Sequence, residues 1–131
     1  MTEEQSTAGI DVERVDFVSV LTQDIPRAKQ FYGETLGLSI ETEGENDLEF
    51  TLGQVTLDVF DPSSIGLAFA PSTAGIAIRV ADVAAARAEL EQKGVQFDGA
   101  TRDTGVCHMA FFEDPDGNRL MLHRRYAPRE R

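Results

Sequence analysis

The fold is decided by residues 24–38, which read Asp24-Ile-Pro-Arg-Ala-Lys-Gln-Phe-Tyr-Gly-Glu-Thr-Leu-Gly-Leu38. Asp24 is a good helix N-cap, and Pro26 falls in the first turn, where a missing N–H does no harm. Gly37 is the expected end of the helix. Between them, apolar residues recur at helical spacing, namely Ala28, Phe31, Tyr32 and Leu36. The stretch therefore predicts one amphipathic helix.

The strand pattern on both sides of this helix predicts a β-α-β-β-β unit. Residues 14–21 form a β-branched run that is typical of a strand. After the helix, apolar and polar residues alternate in three short segments at 38–43, 47–52 and 54–60. Gly53-Gln54 is the tight reversal expected between the last two of these strands.

The same order of elements recurs in the second half of the chain. A strand marked by Ile76, Ile78 and Val80 leads to Asp82, which caps an alanine-rich helix ended by Gly94. Further strands are predicted near 95–100, 105–113 and 119–125. An internal repeat of this kind is stronger than any single motif. It predicts an α+β fold in which two β-α-β-β-β units form curved mixed sheets around a concave cavity, with the helices outside.

Length and composition define the domain organisation. The 131 residues fit one domain, and 41% hydrophobic residues are enough for an ordinary core. Residues 1–12 are polar and aperiodic, which predicts a disordered tail before a single domain at 13–127, with unit one at 13–61 and unit two at 73–126. No apolar run approaches the ~20 residues that span a bilayer. Cys107 is the only cysteine, which favours a reducing, cytoplasmic setting.

Charge is the strongest compositional signal, because the formal net charge is −11. Such a surface repels a phosphate backbone, which disfavours nucleic-acid binding. Two explanations of the acidic excess stay open. It serves solubility or adaptation to salt, or it attracts cationic ligands.

Two motifs resemble the vicinal oxygen chelate superfamily, which includes glyoxalase I, bleomycin and fosfomycin resistance proteins and extradiol dioxygenases. The first is the helix at 24–38. The second is the turn before the last strand, Phe111-Phe112-Glu113-Asp114-Pro115-Asp116-Gly117-Asn118. The resemblance covers most of the chain and implies a homodimer. Turn residues of this kind usually serve the backbone, so the second motif identifies the fold and not the reaction.

Metal-dependent members of that superfamily bring together four ligands, usually His and Glu. Carried over position by position, these sites fall on Phe17, Asp58, Gly75 and Met121, so only Asp58 is acidic. One carboxylate cannot hold a divalent transition metal, which needs three or four convergent ligands. The resemblance therefore implies the bleomycin-resistance branch, with no metal and no cofactor, and with apolar surface at Phe17 and Met121.

Strand alternation predicts which other side chains share the concave face, because residues two apart point the same way. The predicted ligand-binding set is Phe17, Ser19, Asp58, Arg79, Cys107, Met109, Phe111, Met121 and His123. Leu21 and Ala77 share that side. A one-residue slip in the strand that holds Cys107 would bring His108 inward instead.

Other constellations stay open. Cys107, His108, His123 and Asp58 could form a substitute metal site, although neighbouring strand residues point to opposite faces. His123 is the candidate catalytic residue, as a general acid or base with a pKa in the neutral range. Arg79 either clamps a substrate carboxylate or pairs with a local acid. Cys107 has no evident activating partner and is best explained as a small buried hydrophobe.

These residues favour a metal-independent protein of the bleomycin-resistance type that binds a small organic molecule, for which the acidic composition weakly favours a cation. The alternative is a glyoxalase-like lyase or isomerase with a rearranged active site. A third hypothesis is a structural or regulatory dimer with a vestigial cavity. Whether one chain or two build each cavity stays open, and neither a membrane nor a nucleic acid is expected as partner.

Overall fold

The computed structural model describes residues 9–129 and confirms the α+β class and both β-α-β-β-β units. In chain order the elements are β1 (Phe17–Leu21), α1 (Ile25–Lys29) continued by a π-helical segment (Gln30–Thr35), β2 (Ile40–Glu43), β3 (Asp47–Leu52), β4 (Val55–Phe60), a 3₁₀ turn (Pro62–Ile65), β5 (Ile76–Arg79), α2 (Val83–Gln92), β6 (Phe97–Asp103), β7 (Cys107–Glu113) and β8 (Arg119–Arg125). Of the predicted tail, residues 1–8 lie outside the described residues, and 9–12 are exposed and irregular.

Each unit builds one four-stranded sheet. The strand orders are β1-β4-β3-β2 and β5-β8-β7-β6. In both sheets the first pair is parallel and the other two pairs are antiparallel. β1, β2, β5 and β6 are therefore edge strands. Within residues 9–129, no helix is long and apolar enough to cross a membrane.

Several strand limits differ from the sequence prediction, and the differences are largest at the start of β1 and in the hairpin between β6 and β7. β1 begins at Phe17 and not at residue 14, because its ladder with β4 starts where Phe17 lies opposite Thr56. In unit two the hairpin turns at 104–106, so β6 extends to Asp103 and β7 begins later. The turn is made by Thr104, whose hydroxyl accepts two backbone hydrogen bonds, and by Gly105, whose φ is 91°. Thr104-Gly105 is a turn signal, but the sequence prediction placed Gly105 at the start of a strand.

The first helix changes from α to π geometry half-way along. Asp24 accepts a 3.0 Å hydrogen bond from the backbone N–H three residues on, and Gly37 has φ of 78°, so the predicted start and end are confirmed. Over Gln30–Thr35 the helix is π-helical, and its closing hydrogen bond reaches back five residues to the carbonyl of Phe31 at 2.9 Å. Both Phe31 and Tyr32 are buried in this wider turn.

Aromatic side chains of the first helix reach both sheets. The Tyr32 ring lies 5.8 Å from that of Phe50 in β3, and the Phe31 ring lies 6.5 Å from that of Phe112 in β7. One hydrophobic core therefore joins the helix-facing sides of the two sheets. The opposite sides of both sheets stay open.

The second motif forms a polar junction between the units, centred on two buried residues. Asp114 accepts hydrogen bonds from the Tyr32 hydroxyl at 2.6 Å and from the Asn118 amide at 2.8 Å. Asn118 also donates to the Leu21 carbonyl of unit one and accepts from the backbone of Ser72, both at 2.8 Å. Burial raises the pKa of Tyr32, and the negative charge of Asp114 adds to that rise.

Asp116 extends this junction across the same boundary. Its carboxylate accepts from the Thr22 hydroxyl at 2.6 Å and from the backbone N–H of Gln23 at 2.9 Å, and it pairs with Arg27 at 3.3 Å. The polar groups of the motif thus hold the two units together. This agrees with the structural role that turn chemistry predicts for the motif.

Candidate functional site

The open side of the unit-one sheet, here the unit-one face, contains a pocket of about 510 Å³. Its lining residues are Phe17, Ser19, Asn46, Asp47, Asp58, Phe60, Ser64 and Ile65. Every one of these residues belongs to unit one or to the short turn that follows it. A volume of this size suits a small organic molecule.

Strand alternation explains why these side chains reach the pocket. The buried, helix-facing residues of β1 and β4 are Val20, Leu57 and Val59. The intervening Phe17, Ser19 and Asp58 point the other way, as the sequence predicts. Ser19 lies opposite Asp58 in the ladder, and its hydroxyl donates to the carboxylate at 3.3 Å. Phe17 is 53% exposed, so its ring is accessible to a ligand in this pocket.

Asp58 does not stand alone, because the carboxylates of Asp47 and Glu49 on β3 converge with it. One oxygen from each of the three lies within 4.8 Å of the others. Burial raises the pKa of Asp58, the hydrogen bond from Ser19 opposes that rise, and the charges of Asp47 and Glu49 add to it. The unit-one face therefore carries concentrated negative charge beside an exposed aromatic ring.

Sequence reasoning missed Asp47 and Glu49, although a signal for them was present. The tight reversal at Gly53-Gln54 joins β3 to β4 and pairs Leu52 with Val55. Counting outward from that pair puts Glu49 opposite Asp58. The register of the hairpin therefore predicts that Glu49 lies beside Asp58. Alternation within one strand predicts only on which side of the sheet each residue lies.

The open side of the other sheet, here the unit-two face, presents the remaining predicted residues. They are Arg79, Cys107, Met109, Phe111, Met121 and His123, because Leu120 and Leu122 are buried on the helix side. In register, Met121 lies opposite Phe111, and His123 lies opposite Arg79 on one side and Met109 on the other. Cys107 offers little surface, since it is 8% exposed and its Sγ lies 3.2 Å from the Thr104 hydroxyl.

The two predicted sets lie on separate faces of the chain. Phe17 and Met121 were expected on opposite walls of one pocket, with Asp58 and His123 at its edge. The pocket that holds Phe17 and Asp58 has no unit-two residue in its lining. One chain therefore does not bring the nine residues together, and their part in ligand binding stays a prediction.

The substitute metal site is not assembled. His108 lies on the side opposite to Met109 and pairs with Asp103, at 3.3 Å from Nε2 to the carboxylate. Its ring stacks on Tyr126, with centroids 4.8 Å apart. Among residues 9–129, the only group of three or more His, Cys, Asp or Glu side chains with converging ligand atoms is Asp47, Glu49 and Asp58. The alternative register of β7, in which His108 would point to the open side of the sheet, is wrong.

The positions that would carry the superfamily's metal ligands do not fit a transition metal. Phe17 has no donor atom, Met121 offers a single soft thioether, and Gly75 has no side chain and a φ of 85° that favours glycine. The carboxylates around Asp58 are all hard oxygen donors, without the nitrogen or sulfur that zinc sites use.

Residues 14–122 match the family model described as the Glyoxalase/Bleomycin resistance protein/Dioxygenase superfamily. The chain belongs to this superfamily. No curated protein sequence matches the chain. The match covers both units and both motifs, so the resemblance noted from the sequence is confirmed.

Solved structures of the superfamily include two similar proteins from Streptomyces sp. CB03234. TnmS3, an antibiotic binding protein, is 29% identical, with a TM-score of 0.73, over 89% of this chain and 99% of that one. A glyoxalase/bleomycin resistance protein is 30% identical, with a TM-score of 0.68, over 85% and 100%. Lactoylglutathione lyase from Agrobacterium tumefaciens has a TM-score of 0.75 over 86% and 94%, but at 17% identity this likeness shows the fold alone.

Proposed function

We propose that this chain is a metal-independent binding protein for a small organic molecule, of the bleomycin-resistance type, and that its ligand is a cation. One observation carries the proposal. The carboxylates of Asp47 and Asp58 line an open pocket beside an exposed aromatic ring, the carboxylate of Glu49 converges with them, and the lining contains no basic residue. The likeness to TnmS3, an antibiotic binding protein, supports binding of a small molecule.

The chemistry of the pocket matches an aromatic or amphipathic cation. Phe17, Phe60 and Ile65 offer apolar area, and a cation over an aromatic ring gains further attraction. Asp47 and Asp58 supply charge at the same place. Burial, and after it the charges of Asp47 and Glu49, raises the pKa of Asp58, and a bound cation would favour the charged carboxylate.

We also propose a homodimer in a cytoplasmic setting. Both open faces and four sheet edges lack a partner in the described chain, and exposed edges and aromatic surface favour association. In a two-fold dimer, the unit-two face of one protomer could cover the unit-one face of the other. The buried single thiol of Cys107 suits a reducing compartment.

The enzymatic alternative has less support. His123 lies opposite Arg79 in β5 and opposite Met109 in β7. Neither side chain can accept the hydrogen bond that would orient a catalytic imidazole. The substitute metal site that a glyoxalase-type reaction requires is not assembled. Binding without turnover therefore agrees best with the geometry.

Isothermal titration calorimetry with three probes of similar size tests the proposal. We expect benzyltrimethylammonium to bind, and benzyl alcohol and benzoate to bind at least tenfold more weakly, because only the first carries a positive charge. Light scattering on the same sample reports the oligomeric state. Equal affinity for all three probes, or preference for benzoate, would contradict a cation site.

A further inference from the structure

The strands of the two sheets carry opposite charge. Those of unit one contain no Lys, Arg or His, but five acids: Glu41, Glu43, Asp47, Glu49 and Asp58. Those of unit two contain five arginines: Arg79, Arg102, Arg119, Arg124 and Arg125. The same strands contain only three acidic residues, which are Asp98, Asp103 and Glu113. A chain with net charge −11 thus has one acidic sheet and one basic sheet.

The arginines of the unit-two face differ in how far neighbouring groups satisfy their charge. Arg119 pairs with Asp98 at 3.1 Å and lies over the Phe111 ring, 4.9 Å from its centroid. Arg125 donates to the carbonyl of Pro128 at 3.3 Å, but its Nε is buried without a hydrogen-bond partner. Arg79 and Arg102, which lies opposite Met109 on the same face, have neither an ion pair nor a side-chain hydrogen bond within residues 9–129.

Arg79 also occupies a favourable place. It ends the edge strand β5, is exposed, and lies opposite His123 on the unit-two face. The preceding residue on that face, Ala77, lies opposite Met121. The guanidinium therefore stands at the margin of an apolar strip, where a planar fork of donors can bind a carboxylate with two hydrogen bonds.

Charge decides how two copies can cover their open faces. Two unit-one faces would repel each other, whereas a unit-one face and a unit-two face attract. The enclosed pocket would then have Asp58 and Asp47 at one pole and Arg79 of the partner subunit at the other. We infer that its ligand is a zwitterionic aromatic molecule, with a cationic group at the acidic pole and a carboxylate at Arg79. This inference rests on the proposed function, because it requires the cation site and the dimer.

A matched set of probes tests the inference. Benzyltrimethylammonium carries the cationic group alone, and two analogues add a ring carboxylate, attached directly or through a propyl spacer to sample two charge separations. We expect one zwitterion to bind about tenfold more tightly than benzyltrimethylammonium, since a charge-assisted pair is among the stronger polar contacts. Arg79→Gln should abolish that gain and leave the affinity for benzyltrimethylammonium unchanged.

Arg124→Gln is the control, because Arg124 lies opposite His108 on the other side of the same sheet and carries the same charge. It should retain the gain. Thermal unfolding of each variant verifies folding. If benzyltrimethylammonium binds but neither carboxylate helps, or if Arg79→Gln keeps the gain, the inference is overturned and the proposed function stands. A monomer that binds the cation has the same consequence. If no probe binds, the proposed function itself fails.

Discussion

The junction between the units and the unit-one face both concentrate carboxylates, yet they differ in how those charges are satisfied. At the junction, Asp114 is buried and accepts four hydrogen bonds, two from side chains and two from backbone N–H groups. On the face, Asp58 accepts one side-chain hydrogen bond, from Ser19, and meets two further negative charges. Satisfied buried charge stabilises a fold, whereas clustered charge in an open pocket is available to a ligand.

The largest expected effect comes from breaking the junction. Asp114→Ala should lower the free energy of unfolding by about 3 kcal/mol, because it leaves the Tyr32 hydroxyl and the Asn118 amide buried without their acceptor. Urea denaturation followed by circular dichroism measures it. Glu34→Ala, at an exposed helix position, is the control and should change stability by less than about 0.5 kcal/mol. A loss below about 1 kcal/mol for Asp114→Ala would refute the structural role of the junction.

Substitutions on the unit-one face should change ligand affinity and leave the free energy of unfolding almost unchanged. Phe17→Ala should weaken binding of benzyltrimethylammonium by about 1–3 kcal/mol, the scale of a lost aromatic contact. Its stability should hardly change, because the ring is already 53% exposed. Leu67→Ala removes a similarly exposed apolar side chain, 57% exposed, outside the pocket lining and serves as the control. Unfolding of Phe17→Ala under native conditions would show that the ring belongs to the core.

Charge on the face can be tested apart from its apolar surface. Asp58→Asn keeps the shape of the side chain and removes one negative charge, so affinity for the cation should fall about tenfold, or about 1.4 kcal/mol. Glu34→Gln makes the same change of net charge on an exposed helix residue and should leave affinity unchanged. Equal losses in both variants would mean that overall charge, and not the pocket, attracts the ligand.

The raised pKa of Asp58 predicts opposite pH trends for binding and stability. Folding favours the protonated carboxyl, so its contribution to stability is present below the ordinary value of 3.8 and is lost as pH rises through the raised pKa. Cation affinity should increase over the same window, because the carboxylate forms there. Calorimetric titrations and denaturation curves between about pH 3.8 and about pH 7, compared with Asp58→Asn, measure both trends. Parallel trends would contradict the assignment.

The smallest expected effect concerns metal. Because Phe17, Gly75 and Met121 occupy three of the superfamily's ligand positions, we expect no stoichiometric transition metal by elemental analysis of dialysed protein. Chelation with EDTA should leave cation affinity unchanged. One tightly held zinc, nickel, manganese or iron ion per chain would overturn the metal-independent proposal.

Much of the fold could be read from local signals. Asp24, Gly37 and the strand alternation predicted the first unit, and the repeat predicted the second. The outward direction of Phe17, Met121 and His123 followed from the two-residue period of a strand. The π-helical segment could not be predicted from the sequence, because its apolar residues have a spacing that also suits an α-helix. Packing in the core determines the wider turn.

The site was less predictable than the fold. Asp58 was identified through the family pattern, but Asp47 and Glu49 depend on the pairing of β3 with β4. The gathering of all nine candidates into one pocket stays a prediction that requires a second chain, because within one chain helix packing joins the two sheets through their apolar sides and leaves the other sides apart. Local sequence patterns do not predict which sheet faces of two chains contact each other in an assembly.

The sequence by itself determined the elements, the repeat and the direction of each strand residue, because caps, turn residues and alternation are properties of neighbours in the chain. It also determined that the superfamily's metal positions are occupied by Phe17, Gly75 and Met121. Only the tertiary structure decided that the carboxylate oxygens of Asp47, Glu49 and Asp58 come together, that the hydrogen bonds of Asp114 and its turn join the two units, and that the acidic and basic faces are separate. These depend on register and packing between segments far apart in sequence, where no local rule sets the distance.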